Sequence, residues 1–179
     1  ADDEQRILAL AQRALEARVR GAAAPCVEPT GALGLTLDAF VTIHKCGELR
    51  GCLGRVGVDA TLAETVASLA AAVADSDPRF DPVTLAELPQ LEIEVSVLTP
   101  AWEVGGVEEI EVGRHGLIVE QGSRRGLLLP QVACGRGWDA ATFLAQTCRK
   151  AGLPPDAWRN GARVLVFEAQ VLGGCRDGT

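Results

Sequence analysis

Leu49-Arg50-Gly51-Cys52-Leu53-Gly54 is the stretch of this 179-residue chain whose residue types are best suited to chemistry. The thiolate of a cysteine is a nucleophile, and cationic neighbours raise the thiolate fraction. Arg50 lies two residues from Cys52, on the same side of an extended strand, and His44 falls close by on a preceding strand. Glycines inside a strand give up side-chain packing and mark a bulge or a close approach of ligand or backbone, which makes Gly51 and Gly54 candidates for lining a site. The competing account of Cys52 is a small buried side chain, a common role for cysteine. His44 and Cys46 are spaced i, i+2, but there is no C-x-x-C pair, no H-E-x-x-H and no second histidine near them, so no metal is expected.

A second cluster is Asp77-Pro78-Arg79-Phe80, a carboxylate, a guanidinium and an aromatic ring within four residues. Arg79 has the planar fork that grips a carboxylate or phosphate through two parallel hydrogen bonds. The structural alternative is that Asp77 accepts from turn amides while Phe80 fills the core. Gln131 follows Pro130, beyond which a strand ladder is not expected to continue, so its amide is free to face a pocket. Glu92, Glu94 and Glu168 lie on predicted strands and serve as acid or base only where they face a cleft. Arg124 and Arg125 read as a solvated hairpin tip. Neither G-x-x-x-x-G-K nor G-x-G-x-x-G occurs, so nucleotide chemistry has no support and no cofactor is implied.

The elements that position these groups can be read in order. Apolar residues from Ile7 to Val19 recur at helical spacing, predicting a helix over 3–20 with Asp3 as N-cap and Gly21 as stop. Residues 21–38, with prolines and glycines, form a loop expected to wrap the surface. A hairpin follows over 39–54, with strands Ala39 to Lys45 and Leu49 to Gly54 around Cys46-Gly47-Glu48. With that three-residue loop, His44 opposes Arg50; Val41, Ile43, Leu49 and Leu53 share an apolar face, and Thr42, His44, Arg50 and Cys52 share the other. Thr61 and Glu64 make a capping box for a helix over 62–74, and Thr84 and Glu87 offer a second for one short turn. Leu91 to Leu98 alternates as a strand. Short strands are expected at 117–120 and 126–129, a helix capped by Asp139 with Phe143, Leu144, Thr147, Cys148 and Ala151 inward, and a strand over 163–172. Hairpin-linked strands with helices between them predict an α+β fold, mainly an antiparallel sheet flanked by helices.

Composition narrows the function classes. With 24 acidic against 17 basic residues the formal charge is −7, which disfavours a phosphate-neutralising nucleic-acid binder. No apolar run approaches the roughly 20 residues of a membrane span. Six unframed cysteines and no apolar leader at the start fit a reducing cytoplasm. Cys26, Cys134 and Cys175 are expected in loops or tails, and Cys148 on the buried stripe of its helix.

LRGCLG at 49–54 resembles the L-R-G-C-I-G hallmark of the AMMECR domain family, called AmmeMemoRadiSam system protein A in prokaryotes, with Leu53 in place of isoleucine. The likeness extends in order through AFVTIHKCGELRGCLG, DSDPRFDPVT, LEIEVSVLTP, GLLLPQVA, GWDAATFLAQTCRKAGL and PPDAW. It implies a single domain over 1–179 with two subdomains and a cleft holding the hexapeptide. It implies association with a Memo-like protein and a radical SAM enzyme, without an established reaction. Arg50, Gly51, Cys52, Gly54, Asp77, Arg79, Phe80 and Gln131 match the motifs. The expected function is that of a system subunit whose Cys52 and Arg50 bind a small anionic ligand or do thiol chemistry, with His44 shuttling a proton. The alternative is a non-catalytic accessory module that docks onto those partners.

Overall fold

A computed structural model describes residues 2–174, which form two compact units: the chain up to Val97 together with the segment from Gln170 on, and residues 98–169. Cys175, expected in a tail, lies outside the described residues.

The first unit opens with α1 (Asp2–Arg20), which buries Ile7, Leu10, Ala11, Ala14 and Leu15 and stops at Gly21, whose φ is +66°. Asp3 sits inside its first turn rather than capping it; the carboxylate accepts the Ala32 N–H at 3.1 Å and ties down the following loop. That loop contains a 3-10 turn, Gly31–Gly34, which buries Leu33. Strands β1 (Ala39–Lys45) and β2 (Glu48–Arg55) form the expected hairpin. Helix α2 (Leu62–Ala72) begins at the Thr61/Glu64 capping box, and β3 (Leu91–Leu98) pairs antiparallel with β1. Val41, Ile43 and Val95 point from the sheet into a core shared with Leu10, Leu15, Leu62 and Val66, so the helices cover one sheet face. Truncating one of these large side chains to alanine is expected to cost about 2–5 kcal/mol.

The hairpin differs from expectation in an instructive way. The turn has two residues, Cys46 and Gly47, both at positive φ (53° and 79°), the conformation that matches strand twist. Its even length is compensated by a bulge. The register runs His44↔Leu49, then Ile43↔Gly51 and Thr42↔Cys52, leaving Arg50 as the extra residue. Thr42 and Cys52 therefore share a face as expected. Leu49 does not join Val41 and Ile43; it stands opposite His44, 42 % exposed, and Arg50 opposes no residue.

The second unit carries β4 (Trp102–Glu103), β5 (His115–Gln121), β6 (Arg124–Leu128), α3 (Pro130–Arg136), α4 (Ala140–Lys150) and most of β7 (Arg163–Gly173), whose end belongs to the first unit. Asp139 caps α4 by accepting the Thr142 N–H at 2.7 Å, and Phe143, Leu144, Thr147 and Cys148 are buried. Helix α3 was not expected: Pro130, read as a strand terminator, occupies a first-turn position where its missing N–H costs nothing. Cys134 accordingly lies on a helix, not in a loop. In the first unit the strands follow the order β2-β1-β3, in the second β6-β5-β7 with β4 also on β7, and every pairing described is antiparallel. The fold is α+β.

Candidate functional site

Most of the singled-out residues gather around Cys52 in the first unit. Strand β2 is an edge strand, and an edge leaves outward N–H and C=O groups unpaired. At Cys52 both are taken by side-chain groups. The amide donates to Asp77 Oδ2 at 2.9 Å, and the carbonyl accepts from the Arg79 guanidinium at 3.4 Å. Asp77 and Arg79 are in turn locked together, with Arg79 Nε to Oδ1 at 3.0 Å and a second fork nitrogen to Oδ2 at 2.7 Å, while the Arg79 backbone N–H also donates to Oδ1. The Asp77 carboxylate is 3 % exposed, and its bonds to Arg79 hold it well below the usual carboxylate range. An Asp-x-Arg turn thus substitutes for the neighbouring strand that β2 lacks.

Because the Cys52 amide points off the sheet edge, Cys52 and Thr42 are a non-hydrogen-bonded pair, the arrangement that brings opposing side chains closest. The Thr42 hydroxyl donates to Cys52 Sγ at 3.2 Å. Cys52 itself is half-buried. Register places further groups on this face: Phe40 opposite Gly54, Glu94 beside Thr42, and Glu92 beside His44. Burial pushes the Glu94 carboxyl above its ordinary value, with the nearby His44 acting in the opposite direction.

Arg50 occupies a different environment from the one expected. The bulge turns it to Glu87, with Nε to Oε1 at 3.0 Å and a fork nitrogen to Oε2 at 3.2 Å, and its side chain is only 15 % exposed. Lys45 donates to the same carboxylate at 3.0 Å, and the Thr84 N–H at 2.9 Å. Glu87 is thereby held below the usual carboxylate range, chiefly by Arg50. The Phe80 ring lies near both arginines, with guanidinium carbons 6.0 Å (Arg50) and 5.4 Å (Arg79) from its centroid; it is half-buried and does not plug the core. Both forks already hold carboxylates, so an anionic ligand meets filled clamps.

The glycines have steric roles here. A Cβ on buried Gly51 would stand 3.0 Å from Val73 Cγ2 and 3.2 Å from the Val73 carbonyl, so its absence lets the end of α2 approach the sheet. A Cβ on Gly54 would fall within the Phe40 ring. Gln131 belongs to the second unit, exposed at the start of α3. Of the other cysteines, Cys26, Cys46 and Cys134 are exposed, and Cys148 is buried on α4, where burial pushes its thiol up. Sequence reasoning missed Glu87 as the partner of Arg50; the Thr84-x-x-Glu87 spacing was visible, but not the contact 37 residues back.

The family model described as AMMECR1 matches residues 8–172. A protein of Methanosarcina acetivorans is 41 % identical over 173 residues, covering 91 % of this chain and 87 % of its own. Protein MJ0810 of Methanocaldococcus jannaschii is 45 % identical over 142 residues, 74 % of this chain and 71 % of its own. Among solved structures, the uncharacterized protein PH0010 from Pyrococcus horikoshii superimposes with a TM-score of 0.82 at 40 % identity, covering 92 % of this chain and 88 % of that one. With that coverage and identity on both measures, and with the hexapeptide and the Asp77-x-Arg79 turn locked to each other in space, the chain belongs to the AMMECR1 family.

Proposed function

We propose that the first unit carries a thiol site centred on Cys52, in which the sulfur acts as a nucleophile or carrier and Thr42, Asp77 and Arg79 hold it in place. The observation that carries this reading is the 3.2 Å hydrogen bond from the Thr42 hydroxyl to Cys52 Sγ on a half-buried sheet face. The hydroxyl bonded to the sulfur and the clamp on both backbone groups of Cys52 fix where that sulfur sits. The paired state of Arg50 and Arg79 speaks for thiol chemistry over binding of an anion. In this reading the two arginines shape and neutralise the border of the site. The family resemblance supports a role as subunit of a system with a Memo-like protein and a radical SAM enzyme.

Competitive alkylation with a limiting amount of iodoacetamide at neutral pH tests the site, with each cysteine followed by peptide mass spectrometry. Cys52 should be modified ahead of Cys26, Cys46 and Cys134 although those three are exposed. Modification of Cys52 after all three would overturn the reading. The accessory-module alternative draws its support from the two filled guanidinium clamps; it gains if the protein co-purifies with those partners and Cys52→Ser leaves the activity of the system intact.

A further inference from the structure

We propose that His115 is a pH-sensitive latch in the second unit: neutral, its ring holds the turn at residues 111–114 closed; protonated, it releases that turn and pairs with Glu168. The side chain lies at the start of β5 in a residue only 5 % exposed, and the thiol site makes no use of it. Its Nδ1 accepts the Glu111 N–H at 3.1 Å, while its own backbone N–H donates to the Glu111 carbonyl at 2.9 Å. The same carbonyl accepts the Arg114 N–H at 3.2 Å, and Gly113 within the turn has a φ of +96°. A single residue thus closes the turn through both backbone and side chain.

An imidazole nitrogen that accepts a hydrogen bond carries no proton, so in this arrangement the ring is neutral with its one proton on Nε2. A second proton can be added only at Nδ1, where an N–H already points, so the imidazolium cannot keep the bond to Glu111. A partner for the new charge stands across the strands. Glu168 on β7 pairs directly with His115, which puts both side chains on one sheet face with Cβ atoms about 5 Å apart. The Glu168 carboxylate accepts from Arg114 Nε at 2.8 Å, and Arg114 also reaches the Glu111 carboxylate at 3.2 Å. Arg114 therefore keeps a carboxylate when Glu168 turns to the imidazolium. The three charges already there, two negative and one positive, are complemented by one more positive charge.

The other elements around the ring bring groups that are apolar or engaged elsewhere. On β4, Trp102 meets the imidazole at right angles, with centroids 5.5 Å apart and planes at 88°, and the adjacent Glu103 holds Arg163. On α3, Arg136 is stacked on Trp138, and Cys134 has its sulfur beside Gly113. The 3-10 turn Val107–Glu109 carries two carboxylates; Glu109 accepts the Gly105 N–H and Glu108 packs against Gly106. Helix α4, which packs on β5, contributes Phe143, Leu144 and the buried Cys148. Release is local, because Ile110, 7 % exposed, keeps the chain before the turn anchored in the core.

The test is an NMR titration of the full chain from about pH 8 to 5, the range in which histidines change charge. The Glu111 amide and the His115 ring signals are followed in wild type and in His115→Asn, His44→Gln and Glu168→Gln. In wild type the Glu111 amide should move in one transition that tracks the His115 ring, and its protection against hydrogen exchange should fall about tenfold or more across it. Asparagine offers an acceptor at the δ position and does not titrate, so in His115→Asn the amide should stay in place. His44→Gln should behave as wild type, and Glu168→Gln should move the transition to lower pH. A His115 ring that stays neutral down to pH 5, or a Glu111 amide indifferent to the charge on that ring, would overturn the proposal on wild-type protein alone, whatever the variants do. Movement of the amide that persists in His115→Asn or disappears in His44→Gln would overturn it as well. A transition that Glu168→Gln leaves in place would defeat the exchange of partners.

Discussion

Asp77 accepts the amide of Cys52 at 2.9 Å across 25 residues of sequence, and the same carboxylate holds the Arg79 fork whose other contact is the Cys52 carbonyl. One nearly buried charge therefore stands in for a missing strand and positions the thiol. Asp77→Asn puts an amide where two lone-pair edges are needed and leaves the guanidinium without its counter-charge. Loss of about 2–3 kcal/mol in urea unfolding is expected, together with weaker selectivity for Cys52 in alkylation. An unchanged unfolding midpoint would show that the clamp contributes nothing to the fold.

Acid should act on the same carboxylates. The folded-state values of Asp77 and Glu87 both lie below their unfolded ones, so their contribution to stability is present above the unfolded carboxylate range, about pH 4, and is lost as pH falls toward the folded values. Glu94 has the opposite sign. Its folded value is raised, so it favours the fold when protonated and that benefit disappears as pH rises through the folded value. Urea midpoints followed against pH should fall steeply below about pH 4 in the wild type and less steeply in Glu87→Gln. Glu94→Gln should raise the midpoint at pH 7 and lose that advantage in acid; a gain that persists at low pH would contradict the assigned sign.

The bulge at Arg50 makes a separate prediction. Arg50 reaches Glu87 with two nitrogens from a side chain 15 % exposed, a geometry a lysine ammonium cannot reproduce. Arg50→Lys should cost about 1–2 kcal/mol, and a double-mutant cycle with Glu87→Gln should return most of that as coupling. Additive single effects would mean that the ion pair is incidental.

The Cys52 face was legible in the sequence because strand alternation survives an error in the turn. A three-residue loop and a two-residue loop followed by a bulge give Thr42 and Cys52 the same parity, so the pair is placed correctly from either. Leu49 and Arg50, which lie between turn and bulge, are the residues whose placement depends on which is real, and those are the two that moved. Nothing local announced the bulge: Cys46, a non-glycine residue, adopts a φ of 53°, and the carboxylate that receives the displaced Arg50 is remote in sequence. Pro130 failed differently, since a proline ends a strand and starts a helix by the same missing N–H.

Gly54 is constrained by a side chain and not by backbone conformation. A methyl group there would occupy the space of the Phe40 ring, its cross-strand partner. Gly54→Ala is expected to destabilise by about 1–3 kcal/mol, and adding Phe40→Ala should recover part of that loss even though Phe40→Ala alone is itself destabilising. A double variant as unstable as the sum of the two would place the strain elsewhere.

Thr42→Val separates the hydroxyl from the shape of the side chain. Valine keeps the β-branched form that suits the strand and removes only the donor to Cys52 Sγ. If that donor stabilises the thiolate, alkylation of Cys52 at neutral pH should slow by roughly three- to tenfold, about the effect of one hydrogen bond. The rates at Cys46 and Cys134 should not move, which makes them internal references for reagent and folding. Thr42→Ser, which restores the hydroxyl on a less constrained side chain, should recover most of the rate. Equal slowing in the serine and valine variants would assign the effect to packing around the sulfur. A Cys52 rate unaffected by either would leave the 3.2 Å contact without chemical consequence and remove the observation on which the thiol reading depends.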